Sequence, residues 1–312
     1  MSRIDYSKWD KLDYSSSSED DENEKRLKRQ SARVDAFFVT EHLSLLKMSS
    51  SSPLWNGLVT HHMDIFVSHV LPKLNKTDRW FFSNVCKESR KVLAYAGVNK
   101  STLIWRVSEC TSISTLEWCW KDMPWGAKNS YGNVIDQTWF CSEVAHTNKL
   151  ELLKWVREVK KCEWDEKTIK NAVRMGNLEM LKYCFANGCP CDEETEQQEA
   201  TCLAARFGRV EILKYLVEER KALVCLKVQC GCGVNAATYG QLASLRYLVE
   251  EAGVPLNDWA CIAYARIYKQ HQCLNYLREK GCPEPTDEEY AQAVEFERGR
   301  LQSELRGPQH SE

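Results

Sequence analysis

Cysteine offers the most chemistry in this sequence, with 15 thiols among 312 residues. A Cys-x4-Cys-x-Cys arrangement occurs twice, as Cys184…Cys189-Pro-Cys191 and as Cys225…Cys230-Gly-Cys232, and thiolates at that density can hold zinc. A structural zinc site takes two close-spaced pairs that supply four ligands, and no such pair of pairs is present. Several thiols also stand where apolar residues stand elsewhere: Cys184 matches Val156, Leu216, Leu248 and Leu277 in a pattern described below. Cysteine is therefore expected to act as a small buried hydrophobe, with no bound metal and no cofactor.

Other catalytic chemistry finds no support. The seven histidines are dispersed, and His61, His62, His146 and His310 fall in linkers, turns or the tail. There is no Gly-x-Ser-x-Gly, no phosphate-binding Gly-x4-Gly-Lys-Ser/Thr, no Gly-x-Gly-x-x-Gly and no His-Glu-x-x-His, so no enzyme is expected. The 42 Lys and Arg against 44 Asp and Glu leave a net charge of −2, which gives no general attraction to phosphate backbones or anionic lipid. Nucleic acid and membrane are not expected partners. The first thirty residues lack the apolar core of a signal peptide, so the thiols are expected to be free in a reducing, cytoplasmic setting. Lys25, Arg26, Lys28, Arg29 and Arg33 can be read either as a nuclear import signal or as a solvated charge run.

The elements that carry these residues are organised in blocks. Ser15–Ser18 run into the acidic stretch Glu19–Glu24, and such apolar-poor sequence predicts a disordered arm over 1–53, with a short helix in 31–47. From about residue 105 a pattern recurs. It reads Thr111-Ser-Ile-Ser-Thr-Leu-Glu-Trp118, Asn148-Lys-Leu-Glu-Leu-Leu-Lys-Trp155, Gly176-Asn-Leu-Glu-Met-Leu-Lys-Tyr183, Gly208-Arg-Val-Glu-Ile-Leu-Lys-Tyr215, Gly240-Gln-Leu-Ala-Ser-Leu-Arg-Tyr247 and Lys269-Gln-His-Gln-Cys-Leu-Asn-Tyr276. The closing aromatics are 37, 28, 32, 32 and 29 residues apart, a period near 32. Apolar residues at helical spacing after each turn predict a second helix, and Val144, Ala172, Ala204, Ala236 and Ala265, four residues before the turn, predict a closely packed first helix. Gly188-Cys-Pro, Gly253-Val-Pro and Gly281-Cys-Pro close the pairs.

A helix, a turn, a second helix and a loop at this period resemble the ankyrin repeat, on residues such as Ala204-Ala205…Gly208…Glu211-Ile-Leu and Ala172…Gly176…Glu179-Met-Leu…Gly188. The family's Thr-Pro-Leu-His opening is absent from every copy, which implies irregular stacking. The fold class expected is therefore mainly α: a helical solenoid of five to six degenerate repeats over 105–295, with a polar tail over 296–312.

Residues 54–104 form a separate helical block. Asp64-Ile-Phe-Val-Ser-His-Val-Leu-Pro72, Thr77-Asp78-Arg79 and Val85-Cys-Lys-Glu-Ser-Arg90 are similar to an F-box, which in its family docks on the adaptor of a cullin ubiquitin ligase. The resemblance implies contacts through Ile65, Leu71, Pro72 and Val85. The alternative is a helical cap over the end of the repeats. A third likeness, Asp5-Tyr-Ser-Lys-Trp-Asp10 followed by serines and acids, is similar to the N-terminus of the kinase-specific co-chaperone of the ninety-kilodalton heat-shock protein. It implies chaperone contact through Tyr6 and Trp9. Ser16, Ser17 and Ser18 each have an acid three residues on, the pattern of an acidophilic kinase site.

The function expected is non-covalent binding of a partner protein whose identity the sequence does not carry. Its candidate contacts are the loop residues Trp164 and Asp165, Asp192, Glu193 and Glu194, and Asn257, Asp258 and Trp259. Either the tryptophans anchor a partner or they pack beneath the next helix.

Overall fold

Among the described residues most helices have ten residues or fewer, too short to persist in water without tertiary packing. Their stability has to come from their neighbours. The computed structural model describes residues 59, 61–129, 132–191, 195–220 and 231–306. Among the described residues the protein is mainly helical, and the only β pairing is one isolated bridge between Lys128 and Val134. The chain divides into two compact units, Met1–Ile104 and Trp105–Glu312. The acidic arm, the basic cluster and the short helix expected over 31–47 lie outside the described residues.

In the first unit, α1 begins at Met63–Ile65 and continues as a π turn over Phe66–Val70 and a 3-10 turn over Leu71–Lys73, where Pro72 lacks the donor a longer helix needs. Helices α2 (Lys76–Val85) and α3 (Lys87–Tyr95) follow. The Asn75 side chain caps α2 by accepting from the Asp78 amide at 2.7 Å. The core gathers Val59, Phe66, Leu71, Leu74, Phe82, Val92, Leu93 and Leu103, with the Phe66 and Phe82 rings stacked 5.0 Å apart.

The second unit is built of helical hairpins. Its helices are α4 (Ile113–Asp122), α5 (Gln137–His146), α6 (Leu150–Glu158), α7 (Glu166–Met175), α8 (Leu178–Ala186), α9 (Thr195–Arg206), α10 (Val210–Lys214), α11 (Cys232–Thr238), α12 (Leu242–Arg246), α13 (Ala260–Ile267), α14 (His271–Glu279) and α15 (Asp287–Arg306). The odd-numbered helices from α5 to α15 pack each on the next, and each from α5 to α13 is backed by the even-numbered helix that follows it in its own hairpin. Both α10 and α12 run on into a π turn, Tyr215–Glu219 and Tyr247–Glu251, made by the same five residues, Tyr-Leu-Val-Glu-Glu. The polar residues after 296 are helix as far as Arg306, not a separate tail.

The five hairpins share a turn residue of positive φ, and four of them also share one closing hydrogen bond. A residue with positive φ ends the first helix: Asn148, Gly176, Gly208, Gly240 or Lys269. The next amide then reaches back to the carbonyl of the small buried residue five positions earlier. These bonds are Asn177 to Ala172 (3.1 Å), Arg209 to Ala204 (2.9 Å), Gln241 to Ala236 (2.8 Å) and Gln270 to Ala265 (2.8 Å). Those alanines are 0 % exposed, and so are Val156, Cys184, Leu216, Leu248 and Leu277 on the second helices. With only a methyl group at the contact, the first helices approach closely; a larger side chain there would overpack the junction.

The turns are also joined to one another. The Lys149 ammonium donates to the Thr111 carbonyl at 2.6 Å, Asn177 donates to the Asn148 carbonyl at 3.1 Å, and the Arg209 guanidinium donates to the Arg174 carbonyl at 2.8 Å. Gln241 lies so close over Gly208, and Gln270 over Gly240, that a Cβ on either glycine would collide with the amide oxygen. The residue after each turn thus reaches to the preceding turn.

Glycine at Gly208 is favoured by φ of 68°, and a Cβ there would also displace the Gln241 amide, whereas Lys269 holds φ of 55° with a side chain attached. Gly208→Ala is expected to destabilise the protein by about 1–3 kcal/mol, and Lys269→Gly to stabilise it by up to about 1 kcal/mol. Urea unfolding followed by circular dichroism measures both; equal effects of the two changes would contradict this account of the turns.

Candidate protein-binding surface

The repeated Leu-Lys-Tyr of the second helices is used within the protein. The cation of one repeat lies over the ring of the next: Lys154 over Tyr183 at 5.6 Å, Lys182 over Tyr215 at 5.2 Å, Lys214 over Tyr247 at 5.4 Å and Arg246 over Tyr276 at 5.5 Å. The tyrosine hydroxyls reach the opposite way, to a glutamate of the preceding repeat. Tyr183 donates to Glu158 at 3.1 Å, Tyr247 to Glu218 at 3.0 Å and Tyr276 to Glu250 at 3.2 Å. Tyr215 has Ala186 at the matching position and instead tilts its ring against Phe185. This face is occupied by repeat-to-repeat bonding.

The loop residues are partly committed as well. Trp164 is 7 % exposed, with the Arg157 guanidinium 4.0 Å over its ring and Tyr183 at its edge, so it packs within the protein and does not project as an anchor. Asp165 caps α7 by accepting from the Lys167 amide at 3.1 Å, and Asp258 accepts from the Ala260 amide at 2.9 Å at the start of α13. Those carboxylates hold helix ends. Trp259 is half-buried and Asn257 is exposed, so part of this loop's surface stays open to solvent. Asp192, Glu193 and Glu194 lie outside the described residues, as do Ser16, Ser17, Ser18, Tyr6 and Trp9.

On the first unit, Leu71 is a core residue at 4 % exposure and is not a surface contact. Its apolar side chain belongs to the same buried cluster as Phe66 and Phe82, the core that a three-helix unit must close. Val85 is half-buried, while Ile65 is 45 % exposed and Pro72 is exposed.

The cysteines pack against one another. Cys110 and Cys119 lie 3.5 Å apart, and Cys202 and Cys232 lie 3.4 Å apart across α9 and α11. The Cys162, Cys189 and Cys282 thiols donate to the carbonyls of Gln137, Asp165 and Asp258, fastening the ends of three hairpins, α5–α6, α7–α8 and α13–α14, to their own beginnings. A neighbouring thiol and then burial push Cys119, Cys162, Cys189 and Cys261 far above the ordinary cysteine range, which disfavours the thiolate that metal binding or nucleophilic attack needs. Among the described residues no group of three or more His, Cys, Asp or Glu side chains converges on a metal position, and no helix is long and apolar enough to cross a membrane.

Sequence reasoning missed one edge of the molecule. The residue just before the positive-φ position is aromatic in three successive turns, Phe207, Tyr239 and Tyr268, with Arg206 stacked 4.3 Å from the Tyr239 ring. The signal was present one position upstream of the pattern that located the repeats. No family model matches the chain, and no curated protein matches it significantly.

Burial, and then the hydrogen bond to a glutamate, push Tyr183 and Tyr276 up from 10 to about 12. Because the folded values are raised, the stabilisation is complete below pH 10 and is lost as pH climbs through about 12, when a phenolate would face Glu158 or Glu250. The melting temperature should fall over that window, and more gently in a Tyr183→Phe/Tyr276→Phe variant; identical slopes would refute the assignment. Separately, Asp258→Ala should lower stability by about 1 kcal/mol while Asp258→Asn, which keeps the cap, leaves it nearly unchanged in chemical denaturation.

Proposed function

We propose that residues 105–295 are an ankyrin-type array that binds a partner protein without catalysis. The observation that carries this reading is the division of labour between surfaces. Alanine columns, turn-to-turn bonds and the lysine–tyrosine–glutamate ladder hold successive repeats together. The exposed parts of loops and turns are therefore free to differ from repeat to repeat without disturbing the core. The absent Thr-Pro-Leu-His opening has a counterpart here, since side chains after the turns supply links between repeats. Trp259 and Asn257, together with exposed turn residues, are the contacts this reading favours.

A second reading has its own observation. In the first unit Ile65 and Pro72 are exposed side chains of an F-box-like segment, which favours docking on a cullin-ligase adaptor, with the repeats holding the substrate. A capping role would leave these two residues without a partner.

Affinity capture with the intact chain tests both. The first reading expects a specific partner whose recovery falls at least about tenfold when Trp259 and Asn257 are replaced by Ala, with the far-ultraviolet circular dichroism unchanged. The second expects ligase adaptors among the recovered proteins and their selective loss in an Ile65→Lys/Pro72→Glu variant. Leu71 is unsuitable for this purpose, since a charge there would unfold the unit. If no specific partner is recovered by the intact chain, the binding reading falls.

A further inference from the structure

Five cations stand at the ends of first helices or in the turns that follow them: Arg174, Arg206, Arg209, Arg266 and Lys269. None of them forms an ion pair among the described residues. The carboxylates nearest in sequence to these turns, Glu179 and Glu211, lie in the first turns of α8 and α10. The turns at Gly240 and Lys269 have none within four residues on either side. An excess of positive charge at this edge thus stands out in a chain whose net charge is −2.

The cations are also held in place. Arg209 donates two hydrogen bonds to the Arg174 backbone carbonyl, at 3.1 and 2.8 Å, so its guanidinium is fixed against the end of the preceding first helix, and it forms no ion pair among the described residues. Arg206 lies 4.3 Å from the Tyr239 ring and 5.7 Å from the Phe207 ring, and its buried Nε–H meets no acceptor. Tyr239 stacks in turn on Tyr268 at 6.4 Å, and the Tyr268 hydroxyl is fixed by Glu297 and Arg300 of α15. Phe207 and Tyr239 are 38 % and 37 % exposed. Tyrosine and arginine in rigid, partly desolvated positions are the side chains that dominate protein interfaces. A planar guanidinium supported on an aromatic face also offers a carboxylate a two-point contact that lysine cannot.

We propose that this edge, centred on Arg206, Arg209, Phe207 and Tyr239, docks an acidic, Asp/Glu-rich segment of the partner protein. The proposal rests on the binding reading given above and specifies the chemistry of the partner. Neighbouring helices pack about 8–10 Å apart, which is about three residues of an extended chain, so carboxylates three residues apart would meet cations of successive turns. A nucleic acid would need a broader positive field than this one edge of a near-neutral chain supplies.

The test uses the full chain and a fluorescent peptide of roughly ten residues with Glu at every third position, the length that spans three turns. Saturable binding that weakens with salt is expected, with at least about a tenfold loss for Arg206→Ala, a comparable loss for Arg206→Lys, and no change for Lys154→Ala on the opposite helix row. Should Arg206→Ala unfold, the exposed Phe207→Glu gives the same reading. Peptide affinity equal in all variants, no saturable binding, or a single-stranded oligonucleotide that binds through the same residues while the peptide does not would each overturn the proposal. Partner capture by the intact chain separates the two levels. If partners are still recovered equally by the Phe207→Glu variant, the acidic-segment proposal fails and the binding reading stands. If the intact chain recovers none, the binding reading itself fails.

Discussion

The second unit depends on how closely one first helix can approach the next. That approach is set by a column of 0 % exposed small residues, Val144, Ala172, Ala204, Ala236 and Ala265. In the four alanine-containing turns the same residue supplies the carbonyl that receives the returning amide. One position therefore controls both the distance between repeats and the closure of its own hairpin. A bulkier side chain would separate the helices and, by moving the carbonyl, loosen the turn as well. The short first helices α7, α9, α11 and α13 are each clamped at that point.

Once the first helices are in register, the second helices fall at a fixed offset, and the Lys-Tyr pairs become an inter-repeat device. A lysine reaches forward to the next ring while a tyrosine hydroxyl reaches back to the previous glutamate. Each contact lies at or near the surface, with Tyr247 and Tyr276 themselves buried, and each is individually weak. Their value lies in repetition at one offset, which discourages slippage of one hairpin against another. Where the matching glutamate is missing, at Ala186, the gap is met by ring packing between Phe185 and Tyr215, so a local defect does not break the series.

Much of this was legible in the sequence. Residues that are fully buried in several copies, such as Cys184 and Leu216, stood at equivalent places in the pattern, and turns were marked by Gly176, Gly208 and Gly240. The thirty-seven residues before the second aromatic also have a physical account: the longer connection carries Trp125, whose ring packs 4.8 Å from Trp120 and 5.6 Å from Phe140. Functional surface was less legible. Whether Trp164 anchors a partner or packs inward depends on whether Arg157 can lie over it, and Asp258 reads as a surface acid until its backbone geometry makes it a helix cap. The arginine–aromatic edge was hidden because its residues become neighbours only after three separate turns are stacked.

The turns differ in one respect along the series. The middle three use glycine, and the outer two, at Asn148 and Lys269, hold side chains in a left-handed backbone conformation. The backbone tension is thus located at the two ends of the series, and the relaxed turns lie at its centre. Loosening that begins at either outer turn removes one hairpin at a time and leaves the interior junctions closed. Amide protons of the central hairpins would then be the last to exchange with solvent, and the stack would open inward from both ends.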